Sequence, residues 1–429
     1  MKVYFYTLGC KVNQYETEAM TELFQENGYL VAATPEDADV IVVNSCTVTA
    51  VSDQKTRQAV RRFKRSAPEA LVVLTGCMPQ AYPSQAQELA EADIVTGNGD
   101  HASILRLVDE YRADGSGKRI VRIEEHEKNE CFENLPIESF STRTRAILKV
   151  QDGCNRFCSY CIIPYSRGRS RSRSLEDLGA ELKQIKEAGH KEVVLVGINF
   201  CCYGLDNGLS FVDPIALACS FGFPRVRIGS LEFDNITKDK VEELAKLPNF
   251  CPQFHMSLQS GCDKTLKAMN RHYTTAEYKA LCDELRAAWP DTTITTDIMV
   301  GFPGETEEDF EASMAFAKSV GFEKIHVFPY SSRPGTKAAE LPQVPKAVKT
   351  ERAHRMLAVA EEIRTAFLKK QVGTEVEILG ETLHDGYLTG YTRNYTPVRV
   401  ASDVSHQDEF LRVRITGVDG DLCTGEIIE

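Results

Sequence analysis

Short runs of Val, Ile and Leu alternate with longer stretches of helical period along the first 110 residues. Residues 3–8, 40–44 and 71–75 read as buried strands, and 14–27, 53–65 and 84–92 read as helices. Strands alternating with helices across short turns predict a parallel sheet. A polar stretch at 114–142 opens with Asp114-Gly115-Ser116-Gly117-Lys118, carries Glu124-Glu125-His126-Glu127, and reads as a linker. The alternation resumes at 146, with strands expected at 146–151, 192–196, 225–230, 253–258, 292–300 and 324–328. Helices fall between them, at 175–188, 238–246, 274–288 and 306–319. Six parallel strands with intervening helices predict an open, partial (β/α)6 barrel with its reactive residues at the strands' carboxyl ends. Residues 345–371 read as one long helix rich in Lys and Arg. After Gly373 the pattern changes to strands split by glycines, at 375–379, 387–391, 396–400, 410–416 and 422–427. That predicts a small all-β barrel. The chain is therefore expected to be an α/β protein with units at 1–113, 143–367 and 368–429 and a linker at 114–142.

Composition narrows the class. At 429 residues the chain is too long for one ordinary domain. No apolar run is long enough to span a bilayer, and the first residues do not read as a signal peptide, so a cytoplasmic protein without a membrane partner is expected. The 14 cysteines are dispersed, which favours reduced thiols and metal ligation over a disulfide scaffold. A net charge of -12 argues against a generic nucleic-acid binder. The local picture differs. Arg143, Arg145, Lys149, Arg156, Arg167, Arg169, Arg171 and Arg173 face a single acid, Asp152, in the same stretch. Such a run is expected to contact phosphate, with Arg167, Arg169, Arg171 and Arg173 as the candidates. The last 57 residues carry four arginines, Arg393, Arg399, Arg412 and Arg414, against eleven acids. Either the four gather on one face, or this unit orients a nucleic acid without gripping it.

The basic run brackets Gly153-Cys154-Asn155-Arg156-Phe157-Cys158-Ser159-Tyr160-Cys161, a C-x3-C-x2-C triplet. Three thiolates this close suit three irons of a four-iron, four-sulfur cluster. The fourth iron is then open to a small ligand and can pass it an electron, as reductive cleavage of S-adenosylmethionine (SAM) requires. Zinc would call for a fourth Cys or His at regular spacing, and none is nearby. Cys10, Cys46 and Cys77 each follow a predicted strand by two residues. The carboxyl ends of parallel strands share one edge, where ligands bind. Three cysteines in that slot point to a second cluster; the plainer alternative is three small buried residues at strand ends.

These residues carry a resemblance. The chain resembles the radical-SAM methylthiotransferases over essentially its whole length. Cys154 to Tyr165 (CNRFCSYCIIPY) is similar to the family's catalytic signature, and Thr7 to Gln14 (TLGCKVNQ) to its N-terminal one. Ser257-Leu258-Gln259-Ser260-Gly261 and Asp297 to Thr306 resemble its barrel motifs, and the C-terminal barrel resembles a TRAM domain, an RNA-associated module. The Gly9-Cys10-Lys11-Val12-Asn13 form is closest to the branch that modifies N6-threonylcarbamoyladenosine in tRNA. The isopentenyladenosine branch usually has Gly-Cys-Gln-Met-Asn, and the branch acting on a ribosomal-protein aspartate Gly-Cys-Pro-Lys-Asn.

The resemblance implies two [4Fe-4S] clusters, SAM, and a tRNA carrying threonylcarbamoyl on adenosine 37, together with an electron donor and a sulfur donor. It implies methyl transfer to a sulfur of the Cys10, Cys46 and Cys77 cluster. A 5'-deoxyadenosyl radical, formed at the Cys154, Cys158 and Cys161 cluster, would then abstract the adenine C2 hydrogen. Tyr160 is expected to flank the SAM adenine, with packing as the alternative. Gly197 and Asn199 end the second barrel strand, where a side chain would obstruct the cofactor. Ser230, Glu232, Gln259 and Asp297 end later strands and are candidates for the SAM ribose and amino-acid groups. Arg271 is the candidate for the SAM carboxylate, a surface ion pair being the alternative. Gly301, Pro303 and Gly304 shape a turn before a helix capped by Thr306 and Asp309. Cys201 and Cys202 depart from the family pattern, as does Cys262. The rival readings are methylthiolation of isopentenyladenosine or of a protein aspartate, and a non-enzymatic iron–sulfur RNA-binding protein.

Overall fold

In the computed structural model, which describes residues 1–137 and 144–428, the N-terminal alternation forms a six-stranded parallel sheet. Its strands are β1 (Lys2–Thr7), β2 (Leu30–Val31), β3 (Val40–Ser45), β4 (Leu71–Gly76), β5 (Ile94–Thr96) and β6 (Ile120–Arg122), in the order β2-β1-β3-β4-β5-β6. Every residue of β3 and β4 is buried, which is why these strands read as continuous apolar runs. Helices α1 (Lys11–Glu26) and α2 (Ala50–Ser66) cover the sheet, and Phe24 and Phe63 anchor its two apolar faces.

The segment expected to be a linker differs from that expectation. It supplies β6, which pairs with β5, and then ties itself down: His126 Nε2 lies 3.1 Å from Asn98 Oδ1, and Glu133 accepts the His101 backbone N–H. A three-residue strand is too short to register as periodicity. Residues 138–143, including Arg143 and the end of the expected linker, lie outside the described residues.

The central unit contains the six expected parallel strands. They run through β7 (Arg145–Asp152), β9 (Glu192–Gly197), β10 (Arg225–Ile228), β11 (Ser230–Leu231), β12 (Gln253–Met256), β13 (Thr293–Val300) and β14 (Lys324–Pro329). The strand expected at 225–230 is divided at Gly229: β10 pairs with β9, and β11 with β12. The barrel is thus two four-stranded half-sheets, β10-β9-β7-β8 and β11-β12-β13-β14, where β8 (Arg171–Ser172) is antiparallel to β7. Thr306 and Asp309 form the expected capping box of the helix Glu307–Val320.

Strands β15 (Glu375–His384), β16 (Tyr387–Thr392), β17 (Pro397–Ala401), β18 (Phe410–Asp419) and β19 (Leu422–Ile427) close a barrel in the order β15-β16-β17-β19-β18. The long helix Lys346–Gln371 belongs to two cores. Met356 and Val359 pack in the central unit, while Leu368 enters the C-terminal barrel. The small barrel docks at the starts of the central strands. Arg225 donates to Tyr391 O at 2.8 Å, Arg227 to Thr392 O at 2.7 Å, and Thr293 to Asn394 O at 2.6 Å.

Candidate active site

Cys10, Cys46 and Cys77 follow β1, β3 and β4, which are adjacent in the sheet, so they meet at one edge. Cys10 is the N-cap of α1 and Cys77 opens the short helix Cys77–Ala81. Polar groups surround the sulfurs. Asn13 Oδ1 lies 3.3 Å from Cys10 Sγ, Asn98 Nδ2 3.7 Å from Cys77 Sγ, and Arg167 Nε 3.2 Å from Cys77 Sγ. Asn13 also donates to Asn44 Oδ1 and Ser45 O, tying the Cys10 turn to the end of β3. Burial pushes the Cys46 thiol up to about 11, and the neighbouring Cys77 and Cys10 add to it. A metal cluster relieves such buried thiols by taking them as thiolates.

The triplet loop leaves β7 through Gly153, whose φ is +70° and where a Cβ would stand 1.9 Å from Arg169 O. Only glycine fits that turn. The loop is pinned from the far half-sheet: Ser159 N donates to Met269 O at 3.0 Å, and Asn270 Nδ2 to Phe157 O at 3.1 Å. Asn199 Nδ2 lies 3.6 Å from Cys154 Sγ, and Arg271 NH1 3.5 Å from Cys158 Sγ. Burial raises the Cys154 and Cys161 thiols above their usual range, and the neighbouring Cys158 adds to both. Among the described residues, no three His, Cys, Asp or Glu gather as tightly as a single metal ion requires. Thiolates that each take a different iron stand wider apart.

A cavity of about 660 Å³ runs through the central barrel and reaches Cys10. Cys10 and Lys11 line it from the N-terminal unit, Gly197, Ser230 and Asp297 from the strands, and Tyr391 and Tyr395 from the C-terminal barrel. Asp297 accepts from His255 at 3.2 Å and Ser257 at 3.1 Å; burial opposes its charge, yet these partners hold the carboxyl below its usual range. Lys11 presents free surface to the cavity, but the protein around that space still displaces bulk water. Burial, then Arg145 and Arg227, bring its ammonium down to about 8. Two buried side-chain oxygens beside the triplet and the strand ends, Asn199 Oδ1 and Gln259 Oε1, have no hydrogen-bond partner. Gln259 also holds a left-handed φ of +69°. Unsatisfied polar atoms and backbone strain together mark a place shaped for a polar ligand, which the residues suit for SAM.

Comparison with known proteins gives this arrangement its family. The profile described as "Radical SAM superfamily" matches residues 148–317, and "Uncharacterized protein family UPF0004" matches residues 2–97. The threonylcarbamoyladenosine tRNA methylthiotransferase MtaB of Bacillus subtilis is 39% identical over 92% of this chain and 89% of its own length. The chain belongs to the radical-SAM methylthiotransferases. The protein of the same name from Aquifex aeolicus is 37% identical over 88% of this chain and 92% of its own. The tRNA-2-methylthio-N(6)-dimethylallyladenosine synthase of Caldicellulosiruptor saccharolyticus is 34% identical over 98% of this chain and 91% of its own. Among solved structures, the radical SAM methyltransferase TsrM of Kitasatospora setae matches with a TM-score of 0.57 at 13% identity, over 90% of this chain and 77% of that one. At that identity the likeness is one of fold.

In this methylthiotransferase, three of the four arginines expected to contact RNA point inward. Arg167 is 1% exposed and meets Glu16 at 2.7 Å and Asp152 at 3.1 Å. Arg171 pairs with Glu130 and Asp152, and Arg173 with Glu181; apart from Asp152, the acids that hold these arginines inward lie outside the basic run. Arg169 is exposed, its guanidinium 4.8 Å from the Phe157 ring centre. Burial would raise Glu16, but Arg167 and Lys149 hold it at about 2. Arg271 is a buried residue bound to Glu232 and Tyr273, so both sequence candidates face each other first. Tyr160 meets Phe302 edge-on and is not part of the cavity wall. At Gly197 an added Cβ would meet Gln151 Oε1 at 2.8 Å, so the glycine makes room for a neighbouring side chain. Cys201 and Cys202 are buried, and burial pushes Cys202 up to about 11. Cys131 is exposed.

Sequence reasoning missed Asn13, Asn98 and Glu16. Asn13 sits inside the quoted N-terminal motif and Glu16 one helical turn on, so the spacing held a signal. It also missed the role of the C-terminal arginines. Arg393 donates to Phe250 O at 2.8 Å, Arg399 pairs with Asp419, and Arg412 and Arg414 pair with Glu375.

Proposed function

We propose that the chain converts N6-threonylcarbamoyladenosine at position 37 of tRNA, next to the anticodon, into its 2-methylthio derivative. The observation carrying this reading is near full-length similarity, at 34–39% identity, to relatives named for threonylcarbamoyladenosine methylthiolation. Cys10, Cys46 and Cys77 would hold one [4Fe-4S] cluster, and Cys154, Cys158 and Cys161 the other. When bound, the clusters and SAM supply reductive SAM cleavage and the sulfur to be methylated and transferred. The aromatic C2–H bond offers acid–base chemistry no handle, so the chain's own task is position. Asn199 and Arg271 flank the triplet sulfurs, Gly197, Ser230 and Asp297 line the passage beside them, and Cys10 reaches the same cavity. In this reading the base enters that cavity, with Cys10 on its wall. The small C-terminal barrel, TRAM-like in this reading, orients tRNA more than it grips it, because its arginines are paired within the protein. Electrons and sulfur come from outside donors. Cysteines without disulfides suit the cytosol, and no helix among the described residues is long and apolar enough to cross a membrane.

The test is to incubate the reconstituted protein with SAM, a reductant and tRNA bearing threonylcarbamoyl- or isopentenyladenosine, then quantify nucleosides by mass spectrometry. The 2-methylthio product is expected on the first. Product mainly on the second would reassign the branch. Replacing Cys10, Cys46 and Cys77 by Ala is expected to leave about half the iron; full iron content would refute a second cluster.

A further inference from the structure

Threonylcarbamoyl and isopentenyl substituents differ by a charge. The first carries a carboxylate, which pays a heavy desolvation penalty in an enclosed site unless a cation or several donors receive it. The cavity wall holds three Lys or Arg side chains among the described residues: Lys11, Lys324 and Arg364. Lys324 and Arg364 both pair with Asp421. Just behind the wall, Arg145 faces Glu381 at 2.8 Å and Arg227 faces Glu192 at 2.7 Å. Lys11 differs from all four. Among the described residues its ammonium has no carboxylate in an ion pair, and its recorded close neighbour is the Tyr395 ring, 6.0 Å away. The acid whose charge acts on it, Glu192, is already held by Arg227 and Arg225. Arg145 and Arg227 add their own positive field. Asp297, Glu323 and Asp421 line the same cavity, but none of them forms an ion pair with Lys11, which leaves its ammonium open to an anion from outside the protein.

We infer that the Lys11 ammonium receives the carboxylate of the threonylcarbamoyl group, within the positive field of Arg145 and Arg227 and against the stacked Tyr391 and Tyr395 rings. The inference rests on the function proposed above and names its specificity residue. Adenine chemistry supports the placement. C2 and C6 flank the same ring nitrogen, so a group on N6 lies alongside the carbon that is modified. Lys11 immediately follows Cys10, and both residues line the cavity. The two rings, 4.5 Å apart and 19° from parallel, give the pocket a firm wall. An isopentenyl group would displace water from the lysine and offer it no partner in return, a cost that works as discrimination.

The test measures binding, with no SAM or reductant present, of the full-length cluster-loaded protein to tRNA carrying unmodified, threonylcarbamoyl- or isopentenyladenosine at position 37. The readout is the ratio of affinities for the threonylcarbamoyl and unmodified forms. Lys11→Gln is expected to cut that ratio at least about tenfold, as for a lost hydrogen bond between charged groups. Glutamine is the residue that the isopentenyladenosine motif carries here, so the fold should accept it; Lys11→Arg should retain most of the ratio. If Lys11→Gln weakens all three tRNAs alike, Lys11 contacts phosphate and the inference falls. It also falls if the ratio is unchanged. If the wild-type protein itself prefers the isopentenyl form, the proposed function fails first.

Discussion

Arg167 places its Nε 3.2 Å from the Cys77 sulfur while its other nitrogens hold Glu16 and Asp152. Asp152 in turn accepts the Gly153 N–H at 2.7 Å, at the entry to the triplet loop. One planar guanidinium therefore binds a residue of each cysteine set's surroundings, a task for which a lysine's point charge is poorly shaped. Removing it would leave Lys149 and Arg171 alone to balance the two buried carboxylates, costing about 3 kcal/mol. Arg167→Met is expected to lower the melting temperature and the iron content, both measurable on purified protein, while the salt dependence of tRNA binding keeps its slope. A slope reduced by about one, with stability intact, would return Arg167 to the RNA surface. The charge run was legible as a run, but its direction was not. Glu16 and Glu181, which turn Arg167 and Arg173 inward, come from other elements, and a linear reading has no access to that pairing.

Between neighbouring strands the informative group is Glu323, just before β14, whose carboxylate accepts the Ile294 N–H of β13 and lies 3.6 Å from Arg286. Burial lifts it from 4.5 to about 7. The unfolded chain releases this proton first, so stability falls as pH rises from about 4.5 to about 7, by on the order of 3 kcal/mol in all. Below that window both states are protonated, and above it both are ionised. Glu323→Gln does not titrate, so its melting temperature relative to wild type should climb between pH 5 and pH 8. A difference that stays flat would show that Glu323 ionises normally. The strands themselves were readable to within a residue or two wherever burial on both faces made the apolar run continuous, as in β3 and β4. The pieces of two or three residues, β2, β5, β6, β8 and β11, offered too few positions for a period of their own. The gathering of Cys10, Cys46 and Cys77 at one sheet edge was legible because they follow neighbouring parallel strands, and that of Cys154, Cys158 and Cys161 because one short loop carries all three. The cavity was not, since Lys11, Asp297 and Tyr395 come from three units that only folding brings together.

At the scale of the molecule, the long helix Lys346–Gln371 joins the central core to that of the C-terminal barrel, and the side chain that commits it to the latter is Leu368, which is fully buried. Leu368→Ala should cost about 2–5 kcal/mol. Because Leu368 packs in the small barrel and the helix in the central one, both should loosen: hydrogen exchange is expected to speed up in β15–β19 and in the helix together. Acceleration confined to the helix would mean that the barrel completes its core alone. The shared helix also gives the chain a schedule. A ribosome releases the N-terminal sheet first, then the central strands, then this helix, and only afterwards the strands that close around Leu368. The last unit is thus made when its missing core residue is already docked on a finished surface, and synthesis order becomes assembly order.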